Sequence, residues 1–214
     1  MSQPFSICAT CGVEHAHPLP EVCAICADDR QWVPASGQAW TTLGELATAG
    51  QRLTWAEGEP GRHVVTTDPT VGIGHSMQVV DAGEGVFLWD PPGFLDEATV
   101  ARIRELGPVL GIATSHPHMF GVQVEWAHAV DAPVLVNEAD ARWIARADDA
   151  IRLWGAEERV GTVELHRIGG HFPGSAVAVW PAGSAGRGTL LCGDTVFPNP
   201  DGWSVGFLRS YPNK

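Results

Sequence analysis

Apolar positions recur along this chain in two periods. In its middle, residues 95–106 place Val100, Ile103 and Leu106 at helical spacing, which predicts a helix with one face against a sheet. The uninterrupted apolar run at 109–113 that follows has the length of a buried strand. The alternation continues with a helix expected over 122–130, a short strand over 133–136 and a helix over 138–147. On either side of this block the pattern shortens to strands separated by turn residues. Residues 63–67, 76–80 and 85–90 are bounded by Asp68-Pro69, Gly72-Ile73-Gly74 and Asp81-Ala82-Gly83, the punctuation of hairpins. From residue 159 onward strands return at 162–167, 176–180, 188–192 and 203–208. Ahead of all these, Trp40 to Ala47 reads as a helix opened by a Thr cap with Glu45 in its first turn.

An apolar content of 44% over 214 residues is enough for a real core. It predicts one main domain, residues 35–214, and a small appendage, residues 1–34. Twelve arginines and the single Lys214 face 25 acidic residues, giving a net charge of −12 with no basic run. A nucleic-acid or anionic-membrane surface is thereby excluded as a partner. The first residues show neither a basic n-region nor an apolar h-region, and no window approaches about 18 uninterrupted apolar residues. A soluble, cytoplasmic protein is expected.

Four of the five cysteines lie in the appendage as Cys8-Ala-Thr-Cys11 and Cys23-Ala-Ile-Cys26. Each C-x-x-C turn presents two thiolates to one ion, and two such turns complete a tetrahedral site. Disulfides are the competing reading, opposed by the tightness of the C-x-x-C loop and by a reducing compartment. Zinc is the preferred ion, with rubredoxin-like iron as the alternative because Gly12 follows the first pair. His15 and His17 between the pairs are read as solvated loop residues. A ribbon of about 30 residues builds little core of its own, so the metal would substitute for one.

Further chemistry sits where strands end. The run 109–113 leads into Thr-Ser-His116-Pro-His118, placing two imidazoles, separated by a proline of fixed φ, in a strand-to-helix loop. Asp90 ends a strongly apolar strand just before Pro91-Pro92-Gly93, and Asp194 ends another in Gly193-Asp194-Thr195. Strand C-terminal edges are where open sheets build sites. His171 lies between glycines in Gly169-Gly170-His171-Phe172-Pro173-Gly174, which lets the backbone turn sharply beneath it. By contrast His63, His75, His128 and His166 have no partner spacing and read as structural or surface residues, Glu125 as a helix residue, and Cys192 as a buried small hydrophobe.

Taken in order, the strand-end Asp90, Ser115-His-Pro-His118, Gly169-Gly-His-Phe-Pro-Gly174 and Leu190-Leu-Cys-Gly-Asp194 resemble the metallo-β-lactamase superfamily over residues 38–210. The resemblance implies an α+β protein, an αβ/βα four-layer sandwich of two facing sheets with helices outside and a site along one sheet edge. It implies His116, His118 and His171 as nitrogen ligands of one metal, Asp194 as a bridging or fourth ligand, and Asp90 as the partner that orients a ligand histidine. Where the family has a carboxylate and a histidine for a second metal, this chain has Phe120 and Gly121, and no histidine follows His171. The expectation is therefore a mononuclear zinc hydrolase of a small ester, thioester or lactone, with Asp194 and Asp90 as its catalytic carboxylates. Two other readings stay open: a non-haem iron oxidoreductase like the superfamily's sulfur dioxygenases, and a non-catalytic scaffold whose ribbon binds a partner. Only twenty residues follow Asp194, without a helical period, so an incomplete outer helical layer is also expected, with either a self-associated form that buries the uncovered face or a fragment with an open site edge and poor activity.

Overall fold

In the computed structural model, which describes residues 5–207, the chain opens with the antiparallel pair β1 (Phe5–Cys8) and β2 (Glu14–Ala16). The four-residue helix α1 (Ala24–Ala27) follows, and β3 (Trp40–Thr41) returns to the free side of β1. Thr42 caps α2 (Leu43–Thr48) by accepting from the Glu45 backbone N–H. A seven-stranded sheet comes next. It contains β4 (Arg52–Glu57), β5 (Arg62–Asp68), β6 (Met77–Asp81), β7 (Val86–Trp89), β8 (Val109–Ala113), β9 (Val134–Asn137) and β10 (Ile151–Trp154). They lie side by side in reverse chain order. The first four pair antiparallel as hairpins, and the last four pair parallel. Parallel neighbours need crossovers. Helix α3 (Glu97–Leu106) lies between β7 and β8, and α4 (Gln123–Val130) between β8 and β9. A second, antiparallel sheet holds β11 (Glu157–Val160), β12 (Val163–Arg167), β13 (Ala176–Trp180) and β14 (Thr189–Cys192), and the β15–β16 pair (Val196–Pro198, Val205–Phe207) follows.

Side-chain alternation fixes how the layers stack. Along β7, Val86 and Leu88 enter a core beneath the helices, while Phe87 and Trp89 enter a second core between the two sheets. Neighbouring strands repeat the split: Ile112 against Ala113 on β8, and Val134 and Val136 against Leu135 on β9. From the facing sheet, Val163, Leu165, Ala178 and Trp180 fill the second core. Each such large apolar side chain contributes about 1.5–3 kcal/mol by its burial. The chain thus has the α+β sandwich expected. Between β11 and β14 the helical turn at Gly183–Gly186 is irregular, with Ser184 and Ala185 at positive φ.

The four-cysteine segment packs into the first core, where Ile7, Cys8, Cys11, Val13, Cys23 and Ile25 join Val65, Ile103 and Trp126. It is also tied by backbone, with Glu14 N donating to Gly121 O and Ala16 N to Ala145 O, both at 3.0 Å. The buried Glu14 carboxylate accepts from Val124 N at 2.6 Å and from Arg146 at 2.7 Å, and Arg146 reaches Glu125 as well. Burial pushes Glu14 up to about 7 against the opposing pull of Val124 N and Arg146.

Several local expectations change. The helix expected over 138–147 is a 3-10 turn, Glu138–Trp143, because Ala145 and Arg146 leave the helical path to meet the N-terminal segment. Strands 52–57, 151–154 and 157–160 were not expected; they are the end strands of their sheets with exposed polar positions, and Glu157-Glu-Arg-Val160 carries three charges in four residues. His15 is a buried β2 residue with its ring edge-on to Trp40 rather than a solvated one, whereas His17 is exposed. The expected strand end at Leu208 and the stretch to Lys214 lie outside the described residues.

Candidate metal centre

The parallel pairing of β7 with β8 sets Trp89 beside Ala113, so the loops leaving both strands begin at one sheet edge. Asp90 takes the left-handed conformation there, φ 57°, one that Asp tolerates better than most residues. Its carboxylate turns to the neighbouring loop, accepting from Ser115 N at 2.6 Å and from Ser115 Oγ at 3.0 Å. Ser115 Oγ in turn lies 2.9 Å from His116 Nδ1. When Asp90 is ionised and takes the Ser115 proton, the hydroxyl accepts from His116 Nδ1–H, which leaves Nε2 as a bare lone pair. Asp90 therefore reaches His116 through Ser115 rather than directly. Burial pushes Asp90 up to about 8.

The second sheet supplies the other half. Ala176 N donates to Ser115 O at 2.8 Å, which joins β13 to the His116 loop and brings up the β12–β13 loop carrying His171. Thr195 Oγ1 holds that loop, accepting from His171 N at 3.2 Å and donating to Gly169 O at 2.9 Å. On the other side the Arg30 guanidinium donates to His171 O at 3.0 Å and lies 3.9 Å from the centre of the Phe172 ring. Phe172 packs edge-on to His118 and His171 and stacks on His116.

These elements bring His116, His118, His171 and Asp194 together, with one donor atom from each inside a 4.8 Å span. His118 Nδ1 and His171 Nε2 are 3.3 Å apart; Asp194 Oδ2 lies 3.7 Å from His116 Nε2 and 3.8 Å from His171 Nε2. Zinc–nitrogen bonds of about 2.0–2.1 Å put tetrahedral ligand atoms about 3.3–3.4 Å apart, so the cluster fits one such ion. His116 Nε2 is buried and has no hydrogen-bond partner among the described residues, the condition of a lone pair reserved for a metal. Two of the imidazoles are held neutral. Burial, then the charges of His118 and His171, keep His116 well below its usual range, and burial with His171 pushes His118 down to about 3. Asp194 is raised by burial and drawn back by His171.

The positions that the resemblance assigns to a second ion are closed. Phe120 is buried in the first core. Gly121 sits at φ 53°, where a Cβ would stand 2.2 Å from Pro91 O. On the Asp194 side of the cluster a cavity of about 370 Å³ is lined by His75, Trp89, Asp90, Met119, Cys192 and Phe197. His75 donates from Nε2 to Pro91 O at 2.9 Å, and Cys192 is half-buried at the cavity wall rather than in the core. The remaining histidines and Glu125 stay away from the cluster: His63 pairs with Glu57, His128 with Asp148, His166 with Glu157 and Glu164, and Glu125 with Arg146. Elsewhere Cys8, Cys11, Cys23 and Cys26 form a second cluster, also within 4.8 Å. Sequence reasoning missed Ser115 and Thr195, although a small hydroxyl residue directly beside a candidate ligand is a readable signal. It missed Arg30, for which the sequence holds none.

No family model matches the sequence. The chain is 39% identical to a Bacillus subtilis protein described as uncharacterised protein YmaE, over 98% of this chain and 78% of the relative. In structure it is similar to the DIM-1 metallo-β-lactamase, with a TM-score of 0.54 and 18% identity over 68% of this chain and 71% of that one. DIM-1 exposed to ceftazidime gives the same TM-score and coverage at 16% identity. Among the described residues no helix is long and apolar enough to cross a membrane.

Proposed function

The chain belongs to the family of Bacillus subtilis YmaE and has the metallo-β-lactamase fold, and from that footing we propose that it is a mononuclear, zinc-dependent hydrolase of a small ester, thioester or lactone. The observation that carries the reading is the convergence of three imidazole nitrogens and Asp194 Oδ2 around one point beside a cavity. When bound there, zinc supplies a Lewis acid that lowers the pKa of a water ligand to about 7 and polarises a carbonyl. Imidazole and carboxylate donors suit zinc, and thiolates suit it too, so zinc is also the ion we assign to the four N-terminal cysteines.

The chain's own residues do the rest. Ser115 and Asp90 fix the tautomer and direction of His116. Thr195 and Arg30 hold the His171 loop from two sides. Asp194 both faces the histidines and lines the cavity, which makes it the carboxylate able to hold a proton at the reacting centre. A cavity of about 370 Å³ admits a small acyl substrate, and Trp89, Met119 and Phe197 offer its apolar part a dry wall.

The test is metal analysis of the purified protein together with turnover of an ester, thioester and lactone panel before and after chelation. One zinc bound through the histidines, activity lost with the metal and restored by it, and inactivity of His118→Ala are expected. Iron in that site, or no turnover with zinc restored, would overturn the reading, and the second result would favour a non-catalytic scaffold.

A further inference from the structure

The four cysteines lie apart from the histidine cluster, but their segment touches the loop after Asp90 and, through Arg30, the loop that carries His171. Their sulfurs are all buried, with Cys8 Sγ 3.6 Å from Cys26 Sγ and Cys11 Sγ 3.8 Å from Cys23 Sγ. A disulfide needs about 2.05 Å, whereas zinc–sulfur bonds of about 2.3 Å put tetrahedral sulfurs about 3.8 Å apart. Gln38 ties both knuckles, accepting from Cys23 N at 3.0 Å and donating to Cys8 Sγ at 3.2 Å. An N–H donor on a sulfur is what a metal-bound thiolate wants from its surroundings.

The first knuckle presses on the loop that follows Asp90. A Cβ at Gly93 would stand 2.6 Å from Gly12 O, and one at Gly72 would stand 2.6 Å from the Cys11 carbonyl, so the main domain presents bare backbone to Cys11-Gly12. The second knuckle leads within four residues from Cys26 to Arg30. Asp28 grips Arg30 through two contacts, Nε to Oδ1 at 2.6 Å and Nη2 to Oδ2 at 2.9 Å, a fork that leaves Nη1 aimed at His171 O. Both side chains are largely buried, and the guanidinium covers the Phe172 ring that packs on all three ligand histidines.

We propose that Cys8, Cys11, Cys23 and Cys26 hold one structural zinc whose role is to organise the catalytic metal site, with Arg30 as the positioning residue that transmits ribbon order to His171. The proposal rests on the reading of the histidine cluster as a metal site, but not on hydrolysis. Without an ion, four buried sulfurs lose their common centre, and the stretch from Cys26 to Arg30 loses the anchor at its start. The cost then appears as weaker metal binding at the histidines.

The experiment titrates chelator-stripped full-length protein with Co²⁺ and Zn²⁺. In the wild type, thiolate-to-cobalt absorption should accompany one equivalent and a second equivalent should bind without it; His118→Ala should remove only the second. Arg30→Ala should keep the thiolate signal and weaken the second equivalent by about tenfold or more, the range seen when a ligand's supporting partner is removed. Arg30→Lys, which keeps the charge but not the fork, should restore little of that loss. Absence of thiolate absorption in the wild type, or an unchanged second equivalent in Arg30→Ala, overturns the proposal. A protein that passes these tests and hydrolyses nothing refutes the hydrolase reading alone, whereas loss of neither equivalent in His118→Ala refutes the histidine metal site and the coupling with it.

Discussion

Ser115→Ala separates the ligands from what aims them. The Ser115 hydroxyl makes two contacts, 3.0 Å to Asp90 Oδ2 and 2.9 Å to His116 Nδ1, and all three residues are buried. Its removal leaves Asp90 with the Ser115 backbone N–H as its remaining partner at 2.6 Å, and leaves the His116 Nδ1–H without an acceptor. A buried polar group stripped of its partner costs about 1–3 kcal/mol, which sets the expected loss of unfolding free energy in urea. The functional loss is separate: with its tautomer no longer fixed, His116 binds metal more weakly, by about tenfold to a hundredfold. Affinity should be read by competition with a chromophoric chelator, and stability by urea denaturation of the metal-free protein. Asp90→Asn should be non-additive with Ser115→Ala, since both break one relay. Wild-type metal affinity in Ser115→Ala would refute the relay, even if the protein lost stability.

Gly121→Ala should destabilise the chain by about 3 kcal/mol or more, since it adds a Cβ at positive φ and 2.2 Å from Pro91 O, and a midpoint within error of wild type in denaturant would contradict this. Glu14 has its folded-state pKa raised from 4.5 to about 7, so folding favours its protonated form; its contribution is full below pH 4.5 and is lost as pH rises through about 7. Glu14→Gln should therefore reduce the drop in unfolding free energy between pH 5 and pH 8, and an unchanged drop would assign it to other groups. Zinc at about a hundredfold over its dissociation constant should stabilise the folded state by about 2.7 kcal/mol per site, and His118→Ala should keep only the part owed to the cysteines. A thermal scan with and without zinc reads this directly, and equal shifts in both proteins would count against the histidine site.

The candidate site was legible because several of its residues follow strands. His116, Asp90 and Asp194 each follow an apolar run long enough to be read as a buried strand, and a strand's C-terminal edge is a small target. The four cysteines were legible for a different reason, since C-x-x-C spacing is local geometry. What failed to show was anything that depends on two distant segments. Residues 138–147 carry a fair helical pattern, yet Arg146 is spent on Glu14, 132 positions away in sequence. Arg30 looks like any surface arginine until the fold lays it on His171, 141 positions away. His15 likewise reads as a loop residue between two cysteine pairs, and only the pairing of β2 with β1 buries it.

That dependence on the N-terminal segment also accounts for the second ion's positions. In the resemblance from sequence, Phe120 and Gly121 stand where ligands are missing, as though something had been lost. The structure gives each of them a task instead. Phe120 is buried in the same core as Cys8, Cys11 and Ile25, and the Gly121 carbonyl receives the Glu14 N–H while Glu14 in turn accepts from Val124 N. A metal ligand at 120 would have to leave that core, and a side chain at 121 would strike the Pro91 and Pro92 carbonyls. Those prolines belong to the same loop, 91–93, against which Cys11-Gly12 rests. Docking of the cysteine segment and closure of the second-ion positions are therefore one packing arrangement, and substituting ligands into 120 and 121 alone cannot restore a second ion unless the loop and the segment move with them.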